Sequence, residues 1–64
     1  MKINGEEIKI KTGATLLSIL ESRNSNPDRV AAELNGEIIP KEKFATTRLK
    51  DSDTLEIVCF VGGG

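Results

Sequence analysis

The chain has 64 residues, with nine basic and ten acidic side chains, a net charge of −1 and a single cysteine. A domain of this size buries only about 60% of its surface on folding, which leaves no room for a deep catalytic cavity. The charge gives no footprint for nucleic acid, no apolar run is long enough to span a membrane, and one cysteine excludes an intramolecular disulfide.

The first predicted element is a β-hairpin over "MKINGEEIKIK", with its turn at Asn4-Gly5. A type I′ turn needs positive φ at both central residues, and Asn-Gly is the pair that best tolerates this conformation. With this turn, Ile3 pairs with Glu6 and Met1 pairs with Ile8. The hairpin therefore has an apolar face of Met1, Ile3, Ile8 and Ile10, and a charged face of Lys2, Glu7, Lys9 and Lys11.

The segment "TLLSILESRN" predicts a short amphipathic helix. Thr15 is a suitable N-cap because its hydroxyl accepts a hydrogen bond from a backbone N–H that has no partner within the helix. The apolar stripe consists of Leu16, Ile19 and Leu20, with Leu17 on its flank. The following "NSNPD" ends the helix, since Pro27 disfavours the helical conformation in Asn26.

The segment "RVAAELNGEIIP" predicts a second hairpin, with its turn at Asn35-Gly36. Val30, Ala32 and Leu34 alternate on the first strand, and Ile39 pairs back onto the Ala32 side. Pro40 is expected at the first position of a short helical turn, "PKEKF", because proline suits that position. We expect Phe44, one of two aromatic residues, to fill the core.

The last predicted strand is "TLEIVCFV", which follows the polar turn "LKDSD". Alternation puts Leu55, Ile57, Cys59 and Val61 on the inner face, and Thr54, Glu56, Val58 and Phe60 on the outer face. Cys59 is therefore expected to be a small core residue. Asp51 and Asp53 are interpreted as solvated turn residues rather than metal ligands.

The order of these elements is that of an α+β protein with a ubiquitin-like β-grasp. Because a sheet with one apolar face needs a single cover, the helix is expected to pack on that face of a mixed four- to five-stranded sheet. The last strand is expected at the centre, parallel to the first. We divide the chain into a β-grasp domain, residues 1–61, and a flexible C-terminal glycine tail, residues 62–64.

The side chains that most enzymes use are missing. The chain has no histidine, and therefore lacks the commonest general base near neutral pH. Without a histidine, Cys59 has no residue to activate it as a nucleophile. We predict that the chain is not an enzyme and binds no metal or cofactor itself.

The glycine tail follows an apolar strand without a polar spacer. Fully extended, Gly62, Gly63 and Gly64 reach about 10 Å. Because this tail has no side chains, it suits a narrow channel that leads to a partner's active site. The pattern indicates that the carboxylate of Gly64 is itself the reacting group.

The second half of the chain resembles a known family. The segments "ELNGEIIPKEKF" and "LKDSDTLEIVCFVGGG" are similar to those of the ubiquitin-like sulfur carriers of thiamine biosynthesis. That family combines an Asn-Gly turn, a proline followed by charged residues and an aromatic, an Asp-rich turn, and a strand that runs into Gly-Gly. Ser52 stands where the family usually has glycine, and Gly62 adds a third glycine. Neither departure touches Gly63-Gly64.

The resemblance implies a function that depends on partners. An ATP-dependent, E1-like adenylating enzyme activates the carboxylate of Gly64, and a persulfide derived from cysteine then displaces AMP. The resulting thiocarboxylate donates its sulfur to thiazole synthase. Such a carrier is expected in the cytoplasm, and no signal-peptide pattern follows Lys2.

Three alternatives stay open at this point. The first is a sulfur carrier similar to the small subunit of molybdopterin synthase. The second is a ubiquitin-like modifier that forms an amide with a target lysine through Gly64. The third is an interaction module whose tail has no function. For a carrier, we predict that Phe60 and Val58, with Ala31 on the adjoining strand, form an apolar partner-binding patch near the tail.

Overall fold

The strand order of the sheet confirms the predicted fold. The computed structural model describes residues 1–60. In chain order its elements are β1 (Lys2–Ile3), β2 (Glu6–Glu7), α1 (Leu16–Ser22), a 3₁₀ helix (Pro27–Arg29), β3 (Val30–Leu34), β4 (Glu37–Ile39), a second 3₁₀ helix (Lys41–Lys43) and β5 (Thr54–Cys59). The strands form one mixed sheet in the order β2-β1-β5-β3-β4, and β5 lies at its centre, parallel to β1. The protein is an α+β β-grasp with five strands and, within the described residues, one α-helix.

The first hairpin has the predicted turn and register. Asn4 and Gly5 have φ values of 51° and 83°, and Ile3 is registered with Glu6. The N–H of Ile8 donates to the carbonyl oxygen of Met1 at 2.8 Å, which confirms the second predicted pair. Ile3 and Met1 are buried, as expected for the apolar face.

Helix α1 begins at the predicted cap and ends at Ser22, two residues before the end of the predicted helical segment. The Thr15 hydroxyl accepts a bond from the N–H of Ser18, and the Ser18 hydroxyl accepts one from the N–H of Thr15. At the other end, Asn24 adopts a left-handed φ of 58°. The N–H of Ser25 then reaches the carbonyl of Leu20 at 2.9 Å, a Schellman closure that ends the helix before Pro27.

The core lies between α1 and one face of the sheet. Its members are all buried and form one cluster: Met1, Ile3, Leu16, Leu20, Val30, Ala32, Phe44, Leu49 and Leu55. Phe44 fills the core as predicted. The face of the sheet that points away from α1 is called the outer face below.

The second hairpin also has the predicted pairing, with one shifted boundary after it. Asn35 and Gly36 have φ values of 52° and 87°, and Ile39 is registered with Ala32. The 3₁₀ helix that follows begins at Lys41, so Pro40 precedes it instead of opening it. Proline serves either position because its fixed φ suits an extended cap as well as a helical start.

The prediction that Cys59 is a core residue is wrong. Strand β5 ends at Cys59 and the thiol is exposed, while Val61, predicted to continue the strand, lies outside the described residues. Along the inner face, Leu55 is fully buried and Ile57 is half-buried. The helical layer therefore covers less and less of β5 from Leu55 towards Cys59. Alternation identifies the face on which a side chain lies, but not how far the opposing layer extends over it.

Candidate functional site

The described chain ends at the root of the glycine tail, and this root is fixed to the sheet. The N–H of Phe60 donates to the carbonyl of Arg29 at 2.8 Å, which continues the pairing of β5 with β3 by one residue. The predicted tail residues Gly62, Gly63 and Gly64 lie outside the described residues. The sheet therefore holds the backbone of Phe60, the last described residue, in place.

The predicted apolar patch is exposed on the outer face. The side chains of Val58 and Phe60 are 60% and 57% exposed, among the most exposed large apolar residues in the described part of the chain. Ala31 is registered directly opposite Val58 and is half-buried. Phe60 does not fold back against its own domain. Ala31, Val58 and Phe60 are called the apolar patch below, and its partner-binding role stays a prediction.

Sequence reasoning missed a third exposed apolar residue, Ile38. Its side chain is 67% exposed on the edge strand β4, and it is registered with Glu33. The signal was present in "EII", because Ile39 points inward and its neighbour must then point outward. Glu33 is in turn registered with Glu56 on β5, so both carboxylates lie on the outer face.

Two asparagine side chains hold the central strand in place. The Asn4 amide accepts a bond from the N–H of Ile57 at 2.7 Å and donates to its carbonyl at 3.3 Å. The Asn35 amide accepts a bond from the N–H of Thr54 at 2.9 Å. Each Asn-Gly turn thus does more than reverse the chain, since its asparagine also bonds to the strand that leads to the tail.

The interpretation of Asp53 as a solvated turn residue is wrong, whereas Asp51 is exposed as expected. Asp53 is only 5% exposed. One of its carboxylate oxygens accepts a bond from the Asn35 amide at 3.0 Å, and the other accepts one from the N–H of Lys50 at 2.8 Å. These two donors take the place of water around the buried carboxylate. Asp53 therefore has a structural role, because it links the turn before β5 to the turn between β3 and β4.

The charge on Asp53 is stabilised inside this network. Burial alone raises the pKa of a carboxyl group, because it disfavours the charged form. The hydrogen bonds from Asn35 and Lys50, together with the positive charges of Lys50 and the N-terminus, outweigh burial and hold the pKa of Asp53 below its usual value. Asp53 is therefore a structural anion.

Residues 1–60 contain neither a cluster of metal-ligating side chains nor a membrane-spanning helix. No group of three or more metal-ligating side chains comes together within that range. No helix among those residues is both long and apolar enough to cross a bilayer.

Comparison with known proteins gives one consistent result. The ThiS family profile matches residues 1–64. The sulfur carrier protein ThiS of Bacillus subtilis is 42% identical over 66 residues, an alignment that covers all of this chain and 98% of that protein. The crystal structure of a thiamine biosynthesis protein (ThiS) from Geobacter metallireducens superposes with a TM-score of 0.78 at 30% identity, covering 98% of this chain and 96% of that one.

A longer relative also contains a segment similar to this chain. The thiazole synthase of Paramagnetospirillum magneticum is 42% identical over 62 residues, which cover 97% of this chain. Those residues make up only 19% of that protein. A domain of this kind therefore occurs both as a separate small protein and as a part of a larger one.

Proposed function

This chain belongs to the ThiS family and is a non-catalytic sulfur carrier of thiamine biosynthesis; on that basis, we propose that Gly64 carries the sulfur as a C-terminal thiocarboxylate. Residues 62–64 act as the tail that brings this group to the active sites of partner enzymes. The β-grasp domain provides recognition, and the partners provide catalysis.

The single observation that carries this proposal is the position of Phe60, the last described residue before the tail. Phe60 is held to β3 by its backbone and exposes its ring on the outer face. Gly64 lies four residues further along the chain, which is at most about 14 Å away. An enzyme that acts on Gly64 must therefore contact the domain close to the apolar patch. The family profile includes the glycine segment, which supports a role for it.

The proposed chemistry begins with activation, because a carboxylate is a poor electrophile. The Gly64 carboxylate oxygen attacks the α-phosphorus of ATP in the adenylating enzyme, pyrophosphate leaves, and an acyl adenylate forms. The terminal sulfur of a cysteine-derived persulfide attacks the acyl carbon, and AMP leaves. A second thiol then reduces the resulting acyl disulfide, and the thiocarboxylate stays on Gly64. ATP is thus a substrate of the partner, and no cofactor is assigned to this chain.

The proposed acceptor of the sulfur is thiazole synthase. The segment similar to this chain within a thiazole synthase supports that pairing, since domains found in one polypeptide commonly act together. The apolar patch is the proposed contact surface, because exposed aromatic residues are enriched among interface residues that contribute most to binding. Because Phe60 precedes Gly64 by only four residues in the sequence, one docking event can orient Gly64 as well.

Mass spectrometry tests the proposal directly. The purified chain is incubated with ATP, the adenylating enzyme and a persulfide donor, and its intact mass is measured. We expect one oxygen to be replaced by sulfur, and we expect fragmentation to locate the change at Gly64. A variant that lacks Gly64 is the matched control, because it keeps the domain and still ends in two glycines.

The other outcomes identify the alternative functions. Adducts of higher mass that join Gly64 to a lysine would indicate a modifier, and an unchanged mass would indicate a plain interaction module. A cell that depends on this chain for molybdopterin and not for thiazole would indicate the molybdopterin branch. Any of these results would overturn the proposed role of Gly64 in thiamine biosynthesis.

A further inference from the structure

The two hairpin turns contain the same chemically labile pair of residues, Asn-Gly. Residues 3–6 read "INGE" and residues 34–37 read "LNGE". The backbone of the two turns is also alike, with φ values of 51° and 83° at Asn4-Gly5 and of 52° and 87° at Asn35-Gly36. The two asparagines therefore have the same intrinsic reactivity, and any difference between them arises from the contacts of their side chains.

An Asn-Gly pair can lose ammonia without an enzyme. The backbone nitrogen of the glycine attacks the side-chain carbonyl carbon of the asparagine and closes a cyclic imide. The bond from that carbon to the amide nitrogen breaks, and the nitrogen leaves as ammonia with the proton of the glycine N–H. Water then opens the imide, so that aspartate or isoaspartate replaces asparagine. Glycine permits the attack because it has no Cβ in the way, whereas Asn26 is followed by Pro27, which has no N–H.

The side-chain amide of Asn35 is held at both ends. Its Oδ1 accepts a bond from the N–H of Thr54 at 2.9 Å, and its Nδ2 donates to Oδ1 of Asp53 at 3.0 Å. The bond from Thr54 thus determines which end of the amide faces Asp53. Asp53 is only 5% exposed, and its other oxygen accepts a bond from the N–H of Lys50 at 2.8 Å. Neither side chain can therefore turn away without losing a hydrogen bond.

Deamidation at Asn35 replaces the donor to Asp53 with an acceptor. If one oxygen of the new carboxylate keeps the bond from Thr54, the other takes the place of the amide nitrogen, 3.0 Å from Oδ1 of Asp53. Two carboxylates this close repel each other, and one of them must take up a proton or move away. The positive charges that act on Asp53 are those of Lys50 and the N-terminus, and they already stabilise one anion. The product therefore loses a hydrogen bond and gains a like charge beside a buried group.

The same change at Asn4 is much milder. The Asn4 amide bonds to backbone groups, since it accepts from the N–H of Ile57 at 2.7 Å and donates to the carbonyl of Ile57 at 3.3 Å. A carboxylate at this position keeps the shorter of the two bonds. Because Asn4 is exposed, the second oxygen can turn towards water. Asn4 is therefore an internal control with the same local sequence and the same turn.

We propose that Asn35 is a deamidation site whose product cannot keep the native fold, so that this reaction with water limits the lifetime of the folded carrier. In the folded chain the two hydrogen bonds hold the amide of Asn35, and the attack of Gly36 requires a local opening of the hairpin. Deamidation makes that opening permanent, because the new carboxylate opposes reclosure against Asp53. This effect acts on the fold alone and is independent of the proposed role of Gly64.

Ageing of the purified chain tests where the reaction occurs. The chain is kept at mildly alkaline pH, either folded or in urea, and peptide mapping by mass spectrometry measures deamidation at each asparagine. In urea we expect Asn4 and Asn35 to react at rates within about twofold of each other, and we expect Asn35 to react at least about tenfold more slowly in the folded chain. A brief protease treatment then removes unfolded chains. The chains that survive should lack deamidation at Asn35.

Substitutions reproduce the product directly. At neutral pH, Asn35→Asp should have a lower urea midpoint than Asn35→Gly, which suits the left-handed φ and lacks only the amide. The midpoint of Asn35→Asp should rise as the pH is lowered from about 7 to about 5, because a like charge raises the folded pKa, and stability from such a group is lost as the pH rises. The matched control Asn4→Asp should show no such rise and should be at least as stable as Asn4→Gly.

A reversed pair keeps the test decisive even if Asn35→Asp does not fold at neutral pH. In Asn35→Asp/Asp53→Asn the donor and the acceptor change places and the net charge equals that of the parent, so this double variant should have a higher urea midpoint than Asn35→Asp. Three results would overturn the proposal: equal midpoints of Asn35→Asp and Asn35→Gly at neutral pH, no gain in the double variant, or protease-resistant chains that are deamidated at Asn35. Absence of deamidation at Asn35 in urea would also overturn it.

Discussion

The side-chain amide of Asn4 bonds to both backbone groups of Ile57, 53 residues away in the sequence. Asn4 lies in the turn after β1, and Ile57 lies in the central strand. The amide thus continues the pairing of β1 with β5 past the last residue of β1. A residue that the local turn requires for its left-handed φ also fixes the strand that leads to the tail.

Replacing Asn4 with glycine tests this second role. Glycine tolerates the left-handed φ of 51° but removes both bonds to Ile57, and each such bond contributes about 0.5–1.5 kcal/mol. We therefore expect Asn4→Gly to lower the free energy of unfolding by about 1–3 kcal/mol, as measured by urea denaturation. Asn24→Gly is the matched control, since Asn24 has a similar φ of 58° and ends a helix where glycine is favoured. If the two substitutions lowered the free energy of unfolding equally, the role of Asn4 in holding Ile57 would be contradicted.

The lowered pKa of Asp53 predicts that the protein is less stable in acid. Its pKa is held below the ordinary value of 3.8 in the folded state by the hydrogen bonds from Asn35 and Lys50 and by nearby positive charges, which outweigh burial. A carboxyl group whose folded pKa is lowered contributes stability above its unfolded pKa, and this contribution is lost as the pH falls through the folded pKa. We expect the free energy of unfolding to decrease below about pH 4.

The variant Asp53→Asn should show a flatter pH profile over that range. It should also be less stable at neutral pH by about 1–3 kcal/mol, because a hydrogen bond that uses a buried charge is lost. Thermal unfolding at several pH values measures both effects. Asp51→Asn is the exposed control, and its profile should follow that of the parent. If the two variants gave the same profile, the assigned role of Asp53 would be wrong.

We expect the same substitution to reduce stability at Phe44 and partner binding at Phe60. Phe44 is 2% exposed and Phe60 is 57% exposed. We expect Phe44→Ala to lower the free energy of unfolding by about 3–5 kcal/mol, because it leaves a cavity in a small core. Phe60→Ala should change stability by less than about 0.5 kcal/mol and weaken binding to the adenylating enzyme by more than about 1 kcal/mol. Circular dichroism and calorimetry distinguish these effects, and normal binding by Phe60→Ala would remove Phe60 from the interface.

The width of the partner's channel is tested at Gly63. If the tail enters a passage that admits only a bare backbone, Gly63→Val should strongly reduce the rate of adenylation, measured as pyrophosphate release. Deletion of Gly64 tests reach instead, because it leaves a Gly-Gly end that is about 3.5 Å shorter. Adenylation of Gly63→Val at the parent's rate would show that the channel tolerates side chains.

Most of the features predicted correctly are those that short segments determine. Both hairpins follow from Asn-Gly, because few residue pairs accept positive φ at two successive positions. The N-cap at Thr15 likewise depends only on residues within one helical turn. The central position of β5 followed from its apolar composition and from the order of the elements.

The burial of Asp53 and the exposure of Cys59, which were both missed, depend on segments that are distant in sequence. Asp53 is buried because Asn35, 18 residues earlier, supplies a hydrogen-bond donor. No pattern in the residues around Asp53 indicates that pairing. Cys59 is exposed because the helical layer does not extend over it. The alternation of apolar residues along a strand does not show how far that layer extends. That Glu33 and Glu56 are registered opposite one another is visible only from the β3–β5 pairing.

The parallel pairing of β1 with β5 has a consequence for how the protein is made. In residues 1–60, the two hairpins join one sheet only through β5, and isolated hairpins are marginally stable in water. A nascent chain therefore cannot complete its sheet until Thr54–Cys59 has left the ribosome. The apolar patch needs β5 as well as β3, so it exists only on chains whose synthesis has passed that strand. An enzyme that recognises the patch thereby rejects chains that terminate before β5 is complete.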